Sequence, residues 1–152
     1  MIDTNQLKEN ITMKFLCLYK PAATEGTPPT EQEMNAMAKL IEEMTNEGTL
    51  LATEGCLPSA MGARVRRAKG KVTVTDGPFT EAKELVAGFA LIEAKSKAHA
   101  IELTKRFLEV AGDGESEIRQ IYDAEQCGEE FSPELAERHK RSAEKMAKNA
   151  SR

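Results

Sequence analysis

The sequence contains no tryptophan, and aromatic residues make up only 5% of its 152 residues. It has two histidines, His99 and His139, and three widely separated cysteines, Cys17, Cys56 and Cys127. Because neither residue type recurs at metal-ligand spacing, we expect no zinc or iron–sulfur site and no other bound cofactor. The cysteines at 17 and 56 lie in apolar runs, which predicts that both are small buried hydrophobes.

Long apolar runs are missing too. No run approaches the roughly 20 residues that span a bilayer, so no membrane segment is predicted. The first ten residues carry two acids and no apolar core, which is unlike a signal peptide. Together with reduced thiols, this predicts a cytoplasmic location. The net charge of -4 argues against a nucleic-acid-binding surface.

The apolar pattern that is present predicts the order β-α-β-β-β-β-α-β, followed by a C-terminal helix. The predicted strands cover 13–19, 49–57, 63–68, 71–75, 86–93 and 117–122, and the predicted helices cover 30–47, 96–111 and 133–148. Thr30 and Glu33 have the spacing of a capping box, and Ser96 is a candidate N-cap. The pair Lys69-Gly70 predicts a tight hairpin turn, with Val65 opposite Val72 and Val74.

Helical spacing also predicts which side chains form the core. The first helix has a stripe of Met34, Met37, Ala38, Ile41 and Met44. The second has a stripe of Ala100, Ile101, Thr104, Phe107, Leu108 and Ala111.

Without the inserted hairpin, the order is the β-α-β-β-α-β of ferredoxin-like α+β domains, in which both helices cover one face of an antiparallel sheet. The strands at 13–19 and 86–93 are apolar on both faces, so one apolar face lacks a helix to cover it. Such a face favours an interface, and we expect a homodimer. The helix at 133–148 either helps cover this face, clasps the partner, or is solvated. We expect a lead-in at 1–12, a domain at 13–124 and an extension at 125–152.

The segment TDGPFTEAKE, residues 75–84, has the composition of a functional turn. Asp-Gly-Pro forces a change of direction and leaves the Asp76 carboxylate at a strand end. Thr80 can cap one helical turn that brings Lys83 near it. A carboxylate beside a lysine can act as a general base or hold a polar ligand. The alternative is that Asp76 only caps the turn and Lys83 only pairs with it.

Three further charged residues are candidates. Glu54 interrupts an apolar run, and Arg64 or Arg119 is a possible cationic partner for it. Arg119 can clamp a substrate carboxylate, or it only forms an edge ion pair with Glu117 or a neighbour. His99 falls on the side of its helix away from the apolar stripe, so we expect it to face solvent.

The run VTVTDGPFTEAKELVAGFALIEAKS, residues 72–96, resembles the DGPF signature of the YCII-related family. The runs MKFLCLYK, NEGTLLATEGCLPS, GARVR, ESEIRQIYDA and GEEFSPELAERHKR are similar to other parts of these proteins. The resemblance covers about residues 13–141 and implies a ferredoxin-like, dimeric α+β barrel. Its members are mostly uncharacterised bacterial proteins, some encoded beside or fused to extracytoplasmic-function sigma factors. By position, the family's motif carries over to Asp76 through Phe79 and Lys83, and less closely to Glu54, Arg64 and Arg119.

Two functions remain open at this point. The first is a small enzyme acting on a polar, aromatic-derived or lactone-like metabolite. Asp76 is then the general base, Lys83 tunes it or stabilises an oxyanion, and Arg119 clamps the substrate, with Glu54, Arg64 and Phe79 as further substrate-binding candidates. The second is a non-catalytic module that binds a small ligand or a protein partner, such as a sigma factor. The first helix contains no histidine, whereas other YCII proteins are proposed to use one.

Overall fold

A computed structural model of the chain describes residues 11–81, 84–123, 126 and 128–152. These residues form two compact units, one ending at Gln120 and the other beginning at Ile121. The predicted division at 12/13 and 124/125 stays a prediction. None of the described helices is both long and apolar enough to cross a bilayer.

The described residues of the first unit form six strands and two α-helices in the predicted order. The strands are β1 (Met13–Pro21), β2 (Leu50–Gly55), β3 (Ala63–Ala68), β4 (Lys71–Asp76), β5 (Gly88–Ala94) and β6 (Gly114–Gln120). The helices are α1 (Glu31–Asn46) and α2 (Lys97–Ala111), and a short 3-10 helix, Ser59–Met61, was not predicted. The last strand begins and ends earlier than predicted, because its hydrogen bonds to β1 run from Gly114 to Gln120.

Four strands form one antiparallel sheet in the order β2-β5-β1-β6. This is the ferredoxin-like α+β arrangement that the sequence predicts. Strands β3 and β4 form a separate hairpin. Its turn is at Lys69 and Gly70, which both have positive φ, 49° and 79°. Val65 pairs with Val74 as predicted, but Val72 pairs with Arg67, so that predicted contact is wrong.

Local hydrogen bonds fix where both helices begin. The Glu33 amide donates to the Thr30 hydroxyl (3.2 Å), and the Thr30 amide donates to the Glu33 carboxylate (2.7 Å), which confirms the capping box. The His99 amide donates to the Ser96 hydroxyl at 3.1 Å, which confirms the second N-cap. These bonds satisfy amides that have no partner inside the helix.

The core lies between the sheet and the two helices. Its buried members are Phe15, Cys17, Leu40, Met44, Ile92, Ala94, Ala100 and Leu103. The predicted stripes missed Leu40 and Leu103, and they included Met34 and Ile101, which are 53% and 37% exposed. The reason is that both helices are rotated on the sheet relative to the predicted faces.

The other face of the sheet is apolar at its centre. Leu16 and Leu18 of β1 pair with Leu91 and Phe89 of β5, and they alternate with the buried Phe15 and Cys17. The two-sided apolar character of these strands is therefore confirmed. We call this surface the outer face, and its cover by a second copy of the chain stays a prediction.

The described part of the second unit includes the α-helix α3 (Pro133–Ala150), which is two residues longer than predicted. The Leu135 amide donates to the Ser132 hydroxyl at 3.3 Å, and Pro133 occupies the first turn. The rings of Phe131 and His139 lie 5.3 Å apart.

Candidate ligand-binding cleft

A cleft of about 1100 Å³ lies between the inner face of the sheet and the two helices. Its lining is mostly apolar. The helices contribute Met34, Met37, Ala38, Leu40, Ile41, Met44, Leu103, Phe107 and Val110, and the loop between β1 and α1 contributes Ala22, Ala23, Thr27, Pro28 and Pro29. A cleft of this size and character is typical of small-molecule sites.

Polar groups converge at one end of the cleft, where β1 and β6 lie beside the end of α2. Tyr19 pairs with Ser116 across the two strands. The Tyr19 hydroxyl donates to the Ala111 carbonyl at 3.4 Å, and its ring packs edge-on against Phe107 at 5.1 Å. The Ser116 hydroxyl oxygen is buried and has no hydrogen-bond partner among the described residues. An unpaired buried hydroxyl is costly, but this oxygen is closed off by its neighbours, so a ligand in the cleft reaches it only if the Ser116 side chain changes rotamer.

The other hydroxyls of the cleft are already committed. Thr53 donates to the Phe89 carbonyl at 2.9 Å, and Thr104 donates to the Ala100 carbonyl at 2.8 Å. Burial raises the pKa of the Cys17 thiol, and a hydrogen bond with Thr104 only partly opposes this. Cys17 is therefore a protonated thiol and a poor nucleophile.

Acidic groups set the charge of the cleft. Its described lining includes Glu33, Glu54 and Asp113 and contains no lysine, arginine or histidine. Glu33 is engaged at the start of α1, where hydrogen bonds from Thr30 lower its pKa. Burial raises the pKa of the Tyr19 hydroxyl, and the negative charge of Asp113 adds to this effect. The cleft therefore disfavours anions.

The DGPF turn lies elsewhere, at the end of the hairpin. Asp76 is exposed at the end of β4, opposite Ala63. It is absent from the described lining of the cleft, and its carboxylate has no hydrogen bond or ion pair with the described residues. Its catalytic role stays a prediction. The predicted partner Lys83 lies outside the described residues.

Arg64 and Phe79 do meet beside this turn. The Arg64 guanidinium lies 4.0 Å from the centre of the Phe79 ring, and both of its terminal nitrogens lie 3.1 Å from one Glu81 oxygen. A second cavity, about 430 Å³, is lined by Arg64, Phe79, Ser59 and Glu25 among others. Two of the predicted residues are therefore brought together.

Ser59 holds this turn in place, and sequence reasoning missed it. Its amide and hydroxyl donate to the Glu25 carboxylate at 2.8 and 2.6 Å, and its hydroxyl accepts from the Phe79 amide at 3.0 Å. The Gly77 amide donates to the Gly62 carbonyl at 3.0 Å, and the Gly77-Pro78 peptide bond is cis. The only signal in the sequence is a small polar residue directly after Pro58.

The other two charged candidates are separated from this turn. Glu54 is exposed at the end of β2 and lines the cleft. Arg119 pairs with Leu16 on the outer face, and its side chain is 72% exposed and lies 3.6 Å from Glu117. The structure thus contains the ion pair that was the alternative for Arg119, on the opposite face from the cleft.

The burial of the cysteines and of His99 agrees only in part with the prediction. Cys17 is buried as predicted, but Cys56 is exposed because it follows the end of β2, and Cys127 lies outside the described residues. His99 is half-buried, and its Nδ1 accepts from the Lys95 amide at 3.1 Å. No group of three or more His, Cys, Asp or Glu side chains suited to a metal occurs within the described ranges.

The sequence pattern did not reveal the polar end of the cleft. Tyr19 is the last residue of one predicted strand, and Ser116 directly precedes another. Neither residue was assigned a functional role. Their one recognisable signal is position: Tyr19 lies near the end of β1, and Ser116 follows Gly114 near the start of β6. Only the antiparallel pairing of these strands brings the two side chains together.

Comparison with known proteins supplies the family. Residues 13–125 match the model of the YCII-related domain. The chain is also similar to the uncharacterized protein R00369 of Rhizobium meliloti (strain 1021), with 28% identity over 92 residues, which is 59% of this chain and 74% of that protein. The family match covers most of the chain, including the DGPF turn and every strand of the sheet. The chain therefore belongs to the YCII-related family.

Proposed function

We propose that this protein binds a small, largely apolar molecule in the cleft between the sheet and the helices. The observation that carries the proposal is a cleft of about 1100 Å³ whose lining is mostly apolar and whose polar groups lie together at one end. A ligand that hydrogen-bonds there while covering the apolar walls satisfies both features.

A thermal-shift screen of neutral, cationic and anionic aromatic compounds tests this function. A ligand at 100 times its dissociation constant adds about 2.7 kcal/mol of stability. Ala38 and Ala36 form a matched pair, since both are exposed on α1 but only Ala38 lines the cleft. We expect Ala38→Phe to abolish the shift and Ala36→Phe to retain it. A screen without hits, or hits that Ala38→Phe leaves unchanged, would contradict the proposal.

An enzymatic reaction is the second candidate, with Asp76 as general base. What supports it is the carboxylate of Asp76, which has no partner among the described residues and lies beside the Arg64–Phe79 contact. Its absence from the described lining of the cleft favours binding over catalysis. For an enzyme of this kind, Asp76→Asn abolishes turnover of a cleft ligand and leaves its affinity unchanged. Retained turnover contradicts the assignment. A regulatory link to a sigma factor has no structural feature of its own and stays a hypothesis.

A homodimer is proposed as the cover of the outer face. Leu16, Leu18, Phe89 and Leu91 form an apolar centre there, of a kind that usually marks an interface. We expect sedimentation to give twice the mass of one chain. A monomer at all concentrations contradicts this proposal without affecting the cleft.

A further inference from the structure

The polar end of the cleft is rich in hydrogen-bond acceptors. The Tyr19 hydroxyl already donates its proton to Ala111, so it offers a ligand only lone pairs. The Ser116 hydroxyl has no partner among the described residues, and once a change of rotamer turns it towards the cleft it can accept as well as donate. The last residues of α2 lie at this end, and the C-terminus of a helix carries a partial negative charge.

The Asp113 carboxylate adds a full negative charge at the same end. Asp113 follows the end of α2 by two residues, lines the cleft, and acts electrostatically on Tyr19. No ion pair involving its side chain occurs among the described residues. A cation can therefore approach it without displacing a protein partner.

Among the described residues, the rest of the lining has no cationic side chain that would hold an anion. All three charged residues of the described lining are acids, and a carboxylate or phosphate ligand would meet them without a compensating cation. Arg119, the residue predicted to clamp a substrate carboxylate, lies on the outer face. The acidic lining therefore favours a ligand whose polar group is neutral or positively charged.

We propose that the cleft is specific for an amine carried on an aromatic or aliphatic body, with the ammonium group seated between Asp113, Ser116 and Tyr19. An ammonium has three donors and no acceptor, which matches the three oxygen-bearing side chains at this end. The edge-on pair of Tyr19 and Phe107 forms the apolar wall next to it. This inference rests on the proposed ligand-binding function and deepens it.

Three probes with one ring system and different polar groups test the inference: tryptamine, tryptophol and indole-3-acetate. Titration calorimetry on the full chain measures each affinity. We expect tryptamine to bind at least about tenfold more tightly than tryptophol, and indole-3-acetate to bind most weakly, since one charge-assisted hydrogen bond is sufficient for a tenfold difference.

Two charge-matched variants assign the selectivity to its residue. Asp113→Asn removes the negative charge at the cleft, whereas Glu109→Gln removes one from an exposed position of α2 outside the described lining. We expect Asp113→Asn to bring the affinity for tryptamine within about twofold of that for tryptophol. Glu109→Gln should preserve the difference. Because Asp113 is exposed, neither variant removes a core contact.

The outcomes separate this inference from the function on which it rests. If tryptophol or indole-3-acetate binds as tightly as tryptamine and Ala38→Phe still blocks binding, the amine specificity is wrong and the ligand cleft stands. If Asp113→Asn leaves the preference for tryptamine intact, the proposed position of the ammonium group beside Asp113 is wrong. If none of the three probes binds and the broader screen also gives no hit, both proposals fail.

Discussion

Gly77 packs directly on the carbonyl oxygen of Ser59, and a Cβ at residue 77 would overlap that oxygen. The contact joins the DGPF turn to the 3-10 helix, where Ser59 is also bonded to Glu25 and Phe79. Glycine is therefore required at this position by a close approach of two backbone segments. Through Ser59, the turn is connected to the loop between β1 and α1, which forms one wall of the cleft.

Gly77→Ala should destabilise the fold. The added methyl group meets backbone atoms that cannot rotate away, and overpacking of this kind costs about 1–3 kcal/mol. Urea unfolding measures the change. Gly62→Ala is the control, because a Cβ there would lie at an ordinary 3.5 Å from the same Ser59 oxygen. Equal stability of the two variants would contradict the close contact at Gly77.

Glu25→Ala should loosen the loop between β1 and α1. Both oxygens of this carboxylate accept from Ser59, and a hydrogen bond to a charged group contributes about 1.5–3 kcal/mol. Hydrogen exchange of the Ser59 and Phe79 amides, which donate to Glu25 and to the Ser59 hydroxyl, should accelerate at least about tenfold. Glu42→Ala, at an exposed site on α1, is the control and should leave these amides unchanged. Unchanged exchange in Glu25→Ala would mean that the loop is held by other contacts.

Leu103→Ala should be far more destabilising than Ile101→Ala. Leu103 is 6% exposed and belongs to the core, whereas Ile101 is 37% exposed. Removing a buried leucine side chain costs about 2–5 kcal/mol, and a surface truncation usually costs about 0.5 kcal/mol. Thermal or urea unfolding of the two variants gives the comparison. The opposite order would mean that the buried face of α2 is the one predicted from the sequence, which includes Ile101.

Stability should depend on pH through Glu47. The Arg106 guanidinium donates hydrogen bonds to Glu47 and holds its pKa below the ordinary value of 4.5, against a smaller opposing effect of desolvation. A carboxyl group whose pKa is lower in the folded state contributes stability above its unfolded pKa, and this contribution is lost as the pH falls through the folded pKa.

Arg106→Gln should therefore be less stable than the wild type at neutral pH, and the difference should shrink as the pH falls below 4.5. Unfolding curves measured across this range test the effect. Arg66→Gln, at an exposed hairpin position without an ion pair among the described residues, provides the control. A difference that is constant with pH would exclude the ion pair as its source.

The sequence by itself determined the order of the strands and α-helices and indicated the family. Three of the signals depend only on neighbouring residues: the hydrophobic periodicity, the Thr30–Glu33 capping box and the Lys69-Gly70 turn. They can therefore be recognised from the local sequence. The same holds for the two-sided apolar strands at 13–19 and 86–93, because side chains alternate along any strand. The DGPF run was sufficient to recognise the YCII-related family.

Only the tertiary structure decided which face of each helix is buried and which side chains meet. Leu103 rather than Ile101 enters the core because the rotation of α2 on the sheet depends on packing against residues distant in sequence. Ser59 and Glu25 are 34 residues apart, and Tyr19 and Ser116 are joined only by strand pairing. A contact between distant segments depends on the whole fold, so the cleft and its acceptor-rich end could not be read from local pattern.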